Sequence, residues 1–252
     1  MRALAILLLL LSFGCREEGS TAPGKRHVLV VGTEPEFKRF ETKNADGELV
    51  GLDMDMIRMM AEDLNMDLRI EEMEFGALIP SLLNGKIDLI ISGMTATAAR
   101  AKKVKFSEPY FHTKLCLLVN VKSGIEKAAD ANGKTIVVKQ NTTGQANAPK
   151  LFPKSNLEVL QAEADCANLV ASGRADAFLY DHLSIFEAAK KHSKTTKALY
   201  ESLSEEPYAM AMRLNDSELH AKVNAFVRRI HKDGRLDKLK AKWMGDIPNA
   251  IR

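Results

Sequence analysis

The stretch GKIDLIISGMTATAARAKKVKFSEPYF, from Gly85 to Phe111, ends an apolar run in small hydroxyl and glycine residues and follows them with an arginine. The guanidinium of Arg100 would match a carboxylate through two parallel hydrogen bonds. Ser92 and Thr95 add hydroxyl groups, and Gly93 would leave its backbone N–H approachable. Together the four residues describe a carboxylate socket. Taken alone, Arg100 is one more cation of the surface run RAKKVK. Asp181 changes that balance. It closes the apolar run AFLYD, where its carboxylate would meet a cation in a cleft, cap the helix beginning HLSIFEAAKK, or do both. A carboxylate socket facing an anion describes a receptor for a zwitterion, and an α-amino acid carries both charges on one carbon.

The surrounding pattern supplies elements to position these groups. HVLVVGT, MDLRIEEME, IDLIISGM, KTIVVKQ and RADAFLYD read as strands. Between them GLDMDMIRMMAEDLN has Met54, Ile57, Ala61 and Leu64 at helical spacing, with Asp53 placed to cap its start. GALIPSLLNG is a helix stopped by Gly85, CANLVASG is another, and two more close the chain near 216–232 and 236–243. Strands alternating with helices give an α/β class with mainly parallel sheets. Ligands in such sheets bind at the carboxyl edges of the strands. A Gly-basic-x-Asp turn occurs twice, as Gly85-Lys86-Ile87-Asp88 and Gly173-Arg174-Ala175-Asp176. Asp181 stands as far beyond the second glycine as Gly93 stands beyond the first. Two equivalent strands would thus each deliver a polar group to one cleft.

With 252 residues, 46% of them hydrophobic, the chain can build a sizeable core as one large or two small domains. Its net charge of +3 comes from scattered residues with no basic stripe, which argues against a nucleic-acid partner. No Cys/His cluster has metal-site spacing, so no cofactor is expected. The first residues, MRALAILLLLLSFGC, carry one positive charge and an apolar run too short for an ordinary membrane span, as in a secretory signal peptide over 1–14. Cys15 sits where a bacterial lipobox places its lipidated cysteine, although Ser12 takes the position of the usual leucine. Residues 15–26 then read as a flexible tether. Cys116 and Cys166 fall in apolar strand-like and helix-like runs and are expected as buried free thiols rather than a disulfide.

The ordered series VGTEPEF, GELVGLDMDM, FGALIPSLLNGKIDLIISGMTAT, RAKKVKFSEPYF, VVKQNTTG, GRADAFLYD, EEPYAMAMR and DGRLDKLKAKWMGD resembles the type II periplasmic solute-binding proteins of the polar amino-acid family, the receptors of ABC importers. The resemblance runs from His27 to Trp243 and comes closest to glutamine-binding members. It implies a periplasmic-binding-protein-like fold of two α/β lobes. Lobe 1 would be 27–109 with 209–252, lobe 2 would be 115–203, and the hinges would lie near 110–114 and 204–208. Such proteins are usually monomers that close around the ligand outside the cytoplasm and deliver it to a membrane permease.

The resemblance also implies roles for individual residues. Arg100 would hold the ligand carboxylate with Thr95 and the backbone N–H of Thr143. The Gly93 carbonyl, Thr95 and Asp181 would hold the ammonium, with Phe37 and Phe75 sandwiching the side chain. Glu34 stands where the family usually has aspartate, and Lys139 where glutamine-binding members also have lysine. An anion and a cation together suit a side chain with both a donor and an acceptor, which favours glutamine, with arginine, lysine and histidine next. The alternative is that Glu34 and Lys139 pair with each other. Lys38 and Arg39 replace prolines usual in the family. The same fold also hosts cyclohexadienyl and arogenate dehydratases, an enzymatic alternative in which Glu34 or Lys139 would act as general acid.

Overall fold

The computed structural model describes residues 27–248. The expected signal peptide, the lipidation site at Cys15 and the tether lie outside them. Two five-stranded sheets form the frame. The first runs Asp67–Glu72, Val28–Thr33, Leu89–Ile90, Ala211–Arg213, Val104–Phe106 from edge to edge. The second runs Asn156–Leu160, Thr135–Lys139, Ala177–Asp181, Phe111–Asn120, Thr196–Tyr208. In each sheet the first three strands are parallel and the last two join antiparallel. The two sheets therefore repeat one topology, with parallel strands on one side only. A small antiparallel sheet of Glu36–Phe37, Glu41–Lys43 and Leu49–Val50 has no counterpart in the expected elements.

The repeated Gly-basic-x-Asp turn has a shared physical basis. Gly85 and Gly173 adopt φ of 70° and 76°, the left-handed turn that ends a helix. The aspartate three residues on then grips the neighbouring strand twice. Asp88 donates its N–H to the Val30 carbonyl at 2.7 Å and accepts the Val30 N–H on Oδ2 at 3.1 Å. Asp176 does the same with Thr135, both at 2.9 Å. This fixes the register of Leu89–Ile90 and Ala177–Asp181, and hence where their last residues point.

The helix Leu52–Asp63 buries Met54, Met56, Ile57, Met60 and Ala61, as its spacing predicts. Asp53 is not its cap. Gly51 takes that position at φ 136°, where a Cβ would lie 2.0 Å from the Phe40 carbonyl oxygen. Asp53 is the second residue of the helix, fully buried and turned inward. The helices Ser217–Lys232 and Arg235–Met244 pack on this same helix, so the end of the chain returns to the first sheet. Between the sheets the chain passes twice. Phe111–Asn120 and Thr196–Tyr208 pair antiparallel, with Phe111 opposite Tyr208, and a register shift interrupts their ladder between Leu199 and Ser204. Cys116 and Cys166 are buried and unpaired, as expected. No described helix is long and apolar enough to cross a membrane.

Candidate functional site

The carboxyl ends of Leu89–Ile90 and Ala177–Asp181 meet at a small pocket. Glu34, Phe37, Phe75, Ser92, Gly93, Thr95, Arg100, Thr143 and Asp181 all line it, so nine of the ten expected pocket residues come together. Lys139 lies just behind, in contact with Glu34.

Arg100 belongs to the short helix Ala98–Ala101, whose cap Thr97 accepts the Arg100 N–H at 3.2 Å. Its Nη1 donates to the Thr95 carbonyl at 3.0 Å and its Nη2 to the Asn141 carbonyl, from the second sheet's side, at 3.0 Å. The guanidinium lies over the Phe75 ring, 5.2 Å from its centre. Burial depresses its pKa while the carboxylates Glu206 and Asp181 oppose that effect. The cation is thus held by carbonyls and an aromatic face, with no carboxylate of the described residues hydrogen-bonded to it, a state that suits an incoming anion.

Asp181 occupies the cap position of His182–Lys191 but makes no side-chain cap bond. Its carboxylate turns instead to the Tyr208 hydroxyl, which donates to Oδ1. Burial pushes the Asp181 carboxyl up to about 8 against the effects of Tyr208 and Arg100. A buried acid of this kind ionises when a cation arrives. Thr143 begins the helix Thr143–Leu151, where backbone N–H groups have no intrahelical partner. Phe37 stacks on Phe40 at 4.7 Å between centroids, and Phe75 donates its own N–H to Glu34 Oε1 at 3.1 Å.

Glu34 and Lys139 form an ion pair at 2.5 Å between the two sheets, both nearly inaccessible, with Glu36 at 3.7 Å from the same ammonium. Their mutual pairing, the alternative raised by the sequence, is what the structure contains. Two expectations about the floor are corrected. The Gly93 N–H is not open to a ligand, because it donates to Asp53 Oδ2 at 2.9 Å. The Ser92 hydroxyl is likewise engaged, donating to Glu41 Oε1 at 2.8 Å and accepting the Glu34 N–H at 3.0 Å. Ser92 thus shapes the pocket wall, and Gly93 keeps its carbonyl for other partners. Glu41, Asp53, Tyr180 and Tyr208 were missed. Their signal was present only in part, since Asp53 read as a helix cap and Glu41 lies in the unexpected small sheet.

Residues 29–246 match the family of bacterial extracellular solute-binding proteins, family 3. The arginine-binding extracellular protein of Bacillus subtilis is 28% identical over 245 residues, covering 96% of this chain and 94% of its own. An ancestral arginine-binding protein solved with glutamine bound is 34% identical, with a TM-score of 0.81, over 88% of this chain and 99% of its own. An ancestral amino acid-binding protein described as a precursor of cyclohexadienyl dehydratase is 32% identical, with a TM-score of 0.79, over 86% of this chain and 95% of its own. The match over nearly the whole chain, on this topology and this pocket, makes the protein a member of the family 3 bacterial extracellular solute-binding proteins.

Proposed function

We propose that the protein is an extracytoplasmic receptor that binds a polar L-amino acid between two lobes and delivers it to an ABC transporter permease. One observation carries this. Arg100 and Asp181, reaching in from different sheets, line the same buried pocket. Arg100 and the Thr143 N–H take the ligand carboxylate; Asp181, Thr95 and the Gly93 carbonyl take the ammonium. Lobe 1 comprises 27–109 and 209–252, lobe 2 comprises 115–203, and the two crossing strands near 110–114 and 204–208 form the hinge. Ligand favours closure because only the closed form lets both half-sites touch it. The protein acts as a monomer, held at the outer face of the membrane by a lipid on Cys15.

For the side chain we favour a carboxamide such as glutamine, then arginine, lysine or histidine. Glu34 and Lys139 already satisfy each other, so a neutral group that donates to one and accepts from the other leaves no buried charge unpaired. A cationic side chain would have to displace Lys139 toward Glu36. The same pairing weighs against the dehydratase alternative, since both candidate general acids are tied up.

The test is calorimetry and thermal shift with the twenty L-amino acids on refolded, ligand-free protein. A native-state ligand raises the melting temperature with the logarithm of its concentration above Kd. Arg100→Ala should abolish binding. Near-wild-type affinity in that variant refutes the carboxylate assignment, and no binding by any amino acid refutes the receptor.

A further inference from the structure

At the floor of the pocket Glu41, with Asp53 behind it, forms a carboxyl pair to which the amino-acid-binding reading assigns no role. Glu41 and Asp53 are 1% and 0% exposed. Each has one oxygen engaged. Glu41 Oε1 accepts the Ser92 hydroxyl, while Asp53 Oδ2 accepts the Gly93 N–H and, at 2.8 Å, the Tyr110 hydroxyl. The remaining oxygens, Glu41 Oε2 and Asp53 Oδ1, are shut off from solvent and receive no other donor. Ser92 and Gly93 are adjacent in the chain, so the two carboxyls they hold are neighbours. Two ionised carboxylates could not pair their orphan oxygens, because neither has a hydrogen to give.

We propose that Glu41 carries a proton that it shares with Asp53, and that this proton makes Glu41 the positioning residue for Ser92 and Gly93 in the pocket. The positioning half rests on the amino-acid-binding reading; the shared proton does not. The charges around the pair agree. Asp53, Glu34, Tyr110 and Tyr180 face Glu41, and none of them is cationic. The cations of the pocket wall are occupied elsewhere, Lys139 by Glu34 and Arg100 by the Thr95 and Asn141 carbonyls. Burial and the Asp53 charge hold the Glu41 carboxyl well above the usual range, while Asp53, helped by Gly93 and Tyr110, rises only to about 6. One proton thus leaves a single negative charge where two would stand. It also closes a chain from Tyr110 through Asp53 and Glu41 to Ser92, which fixes the turn at Gly93, whose φ is 49°.

The experiment compares ligand-free unfolding of wild type and Glu41→Gln from pH 5 to pH 8. The amide keeps both bonds, donating to Asp53 and accepting from Ser92. In the unfolded chain Glu41 loses its proton above about pH 4.3; in the folded protein it keeps it. Wild type should therefore lose ground to Glu41→Gln by up to about tenfold in folding equilibrium constant per pH unit. Asp181 and Glu163 titrate in both proteins and cancel. A pH-independent gap overturns the shared proton. If Glu41→Gln fails to fold, infrared spectra of Glu163→Gln protein carrying carbon-13 carboxyl glutamate read the proton directly. A protonated-acid band at neutral pH supports it, and carboxylate bands only overturn it. For positioning, Glu41→Ala should weaken amino-acid binding more than tenfold and Glu41→Gln should recover most of that loss. Equal losses overturn that role.

Discussion

Lys38 and Arg39 stand where the family resemblance led one to expect prolines, and the structure gives them a task that can be measured. Arg39 is 9% exposed and donates through Nε to Glu187 at 2.9 Å; through Nη1 it donates to Asp246 at 2.6 Å and to the Trp243 carbonyl at 2.8 Å. Glu187 lies on the helix His182–Lys191, packed on the second sheet, whereas Trp243 and Asp246 return to the first. Only the Glu187 bond crosses between lobes. Removing one member of a buried ion pair costs about 3–5 kcal/mol. Lys38, at 2.5 Å from Glu187, keeps part of that charge compensated, which lowers the expected cost to about 2 kcal/mol. On the two-lobe closure proposed above, the bond forms only when the lobes close, so the loss would fall on closure and hence on ligand affinity. About 2 kcal/mol is roughly 30-fold in Kd. Arg39→Met tests this, since it keeps the aliphatic stem and leaves the residue non-glycine at φ 75°. Calorimetry with the cognate amino acid should show the 30-fold weakening. Asp246→Asn, whose partner lies in the same lobe and whose side chain is 62% exposed, should leave Kd unchanged. An Arg39→Met protein that binds within about twofold of wild type refutes the bridging role.

Other consequences follow from the pocket. The Asp181 carboxyl, raised to about 8 by burial, is protonated in the ligand-free protein at neutral pH and must ionise to meet an ammonium. Affinity should therefore rise toward tenfold per pH unit between pH 6 and 7 and level off near 8, with proton release visible as buffer-dependent heats; a flat profile counts against the ammonium role. The same shift means that the ligand-free fold holds a proton the unfolded chain has lost, so Asp181 makes stability decline as pH rises from about 4 to 8, and Asp181→Asn should remove that slope. Glu34→Gln leaves the Lys139 ammonium buried with Glu36, half exposed and 3.7 Å away, as its nearest remaining ion-pair partner. It should cost about 3 kcal/mol in chemical denaturation, most of it recovered by adding Lys139→Met, and a cost below 1 kcal/mol would show that the pair is immaterial.

The polar ends of the two central strands were legible because an apolar run that stops in hydroxyls, glycine or aspartate marks a sheet edge, and because the turn ahead of each run was the same. The α/β class followed from the alternation of strands and helices, whereas the two-lobed frame came from the family resemblance. What stayed hidden depended on partners far apart in the chain. Asp53 has the composition of a cap, and only the approach of Gly93 and Tyr110 shows that it faces inward. Ser92 looks like a free hydroxyl until Glu41, from a strand of three residues too short to leave a periodic signal, takes it. Glu34 and Lys139 were placed at one end of the pocket by resemblance, but whether they paired depended on how close the sheets approach. Spacing along a chain does not carry that distance.

The interrupted ladder between Phe111–Asn120 and Thr196–Tyr208 has a mechanical consequence. Two strands hydrogen-bonded side by side form a ribbon that is stiff in its own plane and compliant across it. The irregularity between Leu199 and Ser204 sits toward the second sheet, while the pairs from Ser204–Leu115 to Tyr208–Phe111 continue unbroken at the crossing. On the two-lobe reading proposed above, bending there would spread over several intact backbone bonds, so the bodies would swing along one soft coordinate without rupturing any of them. The ribbon would then serve as a flexure rather than a joint.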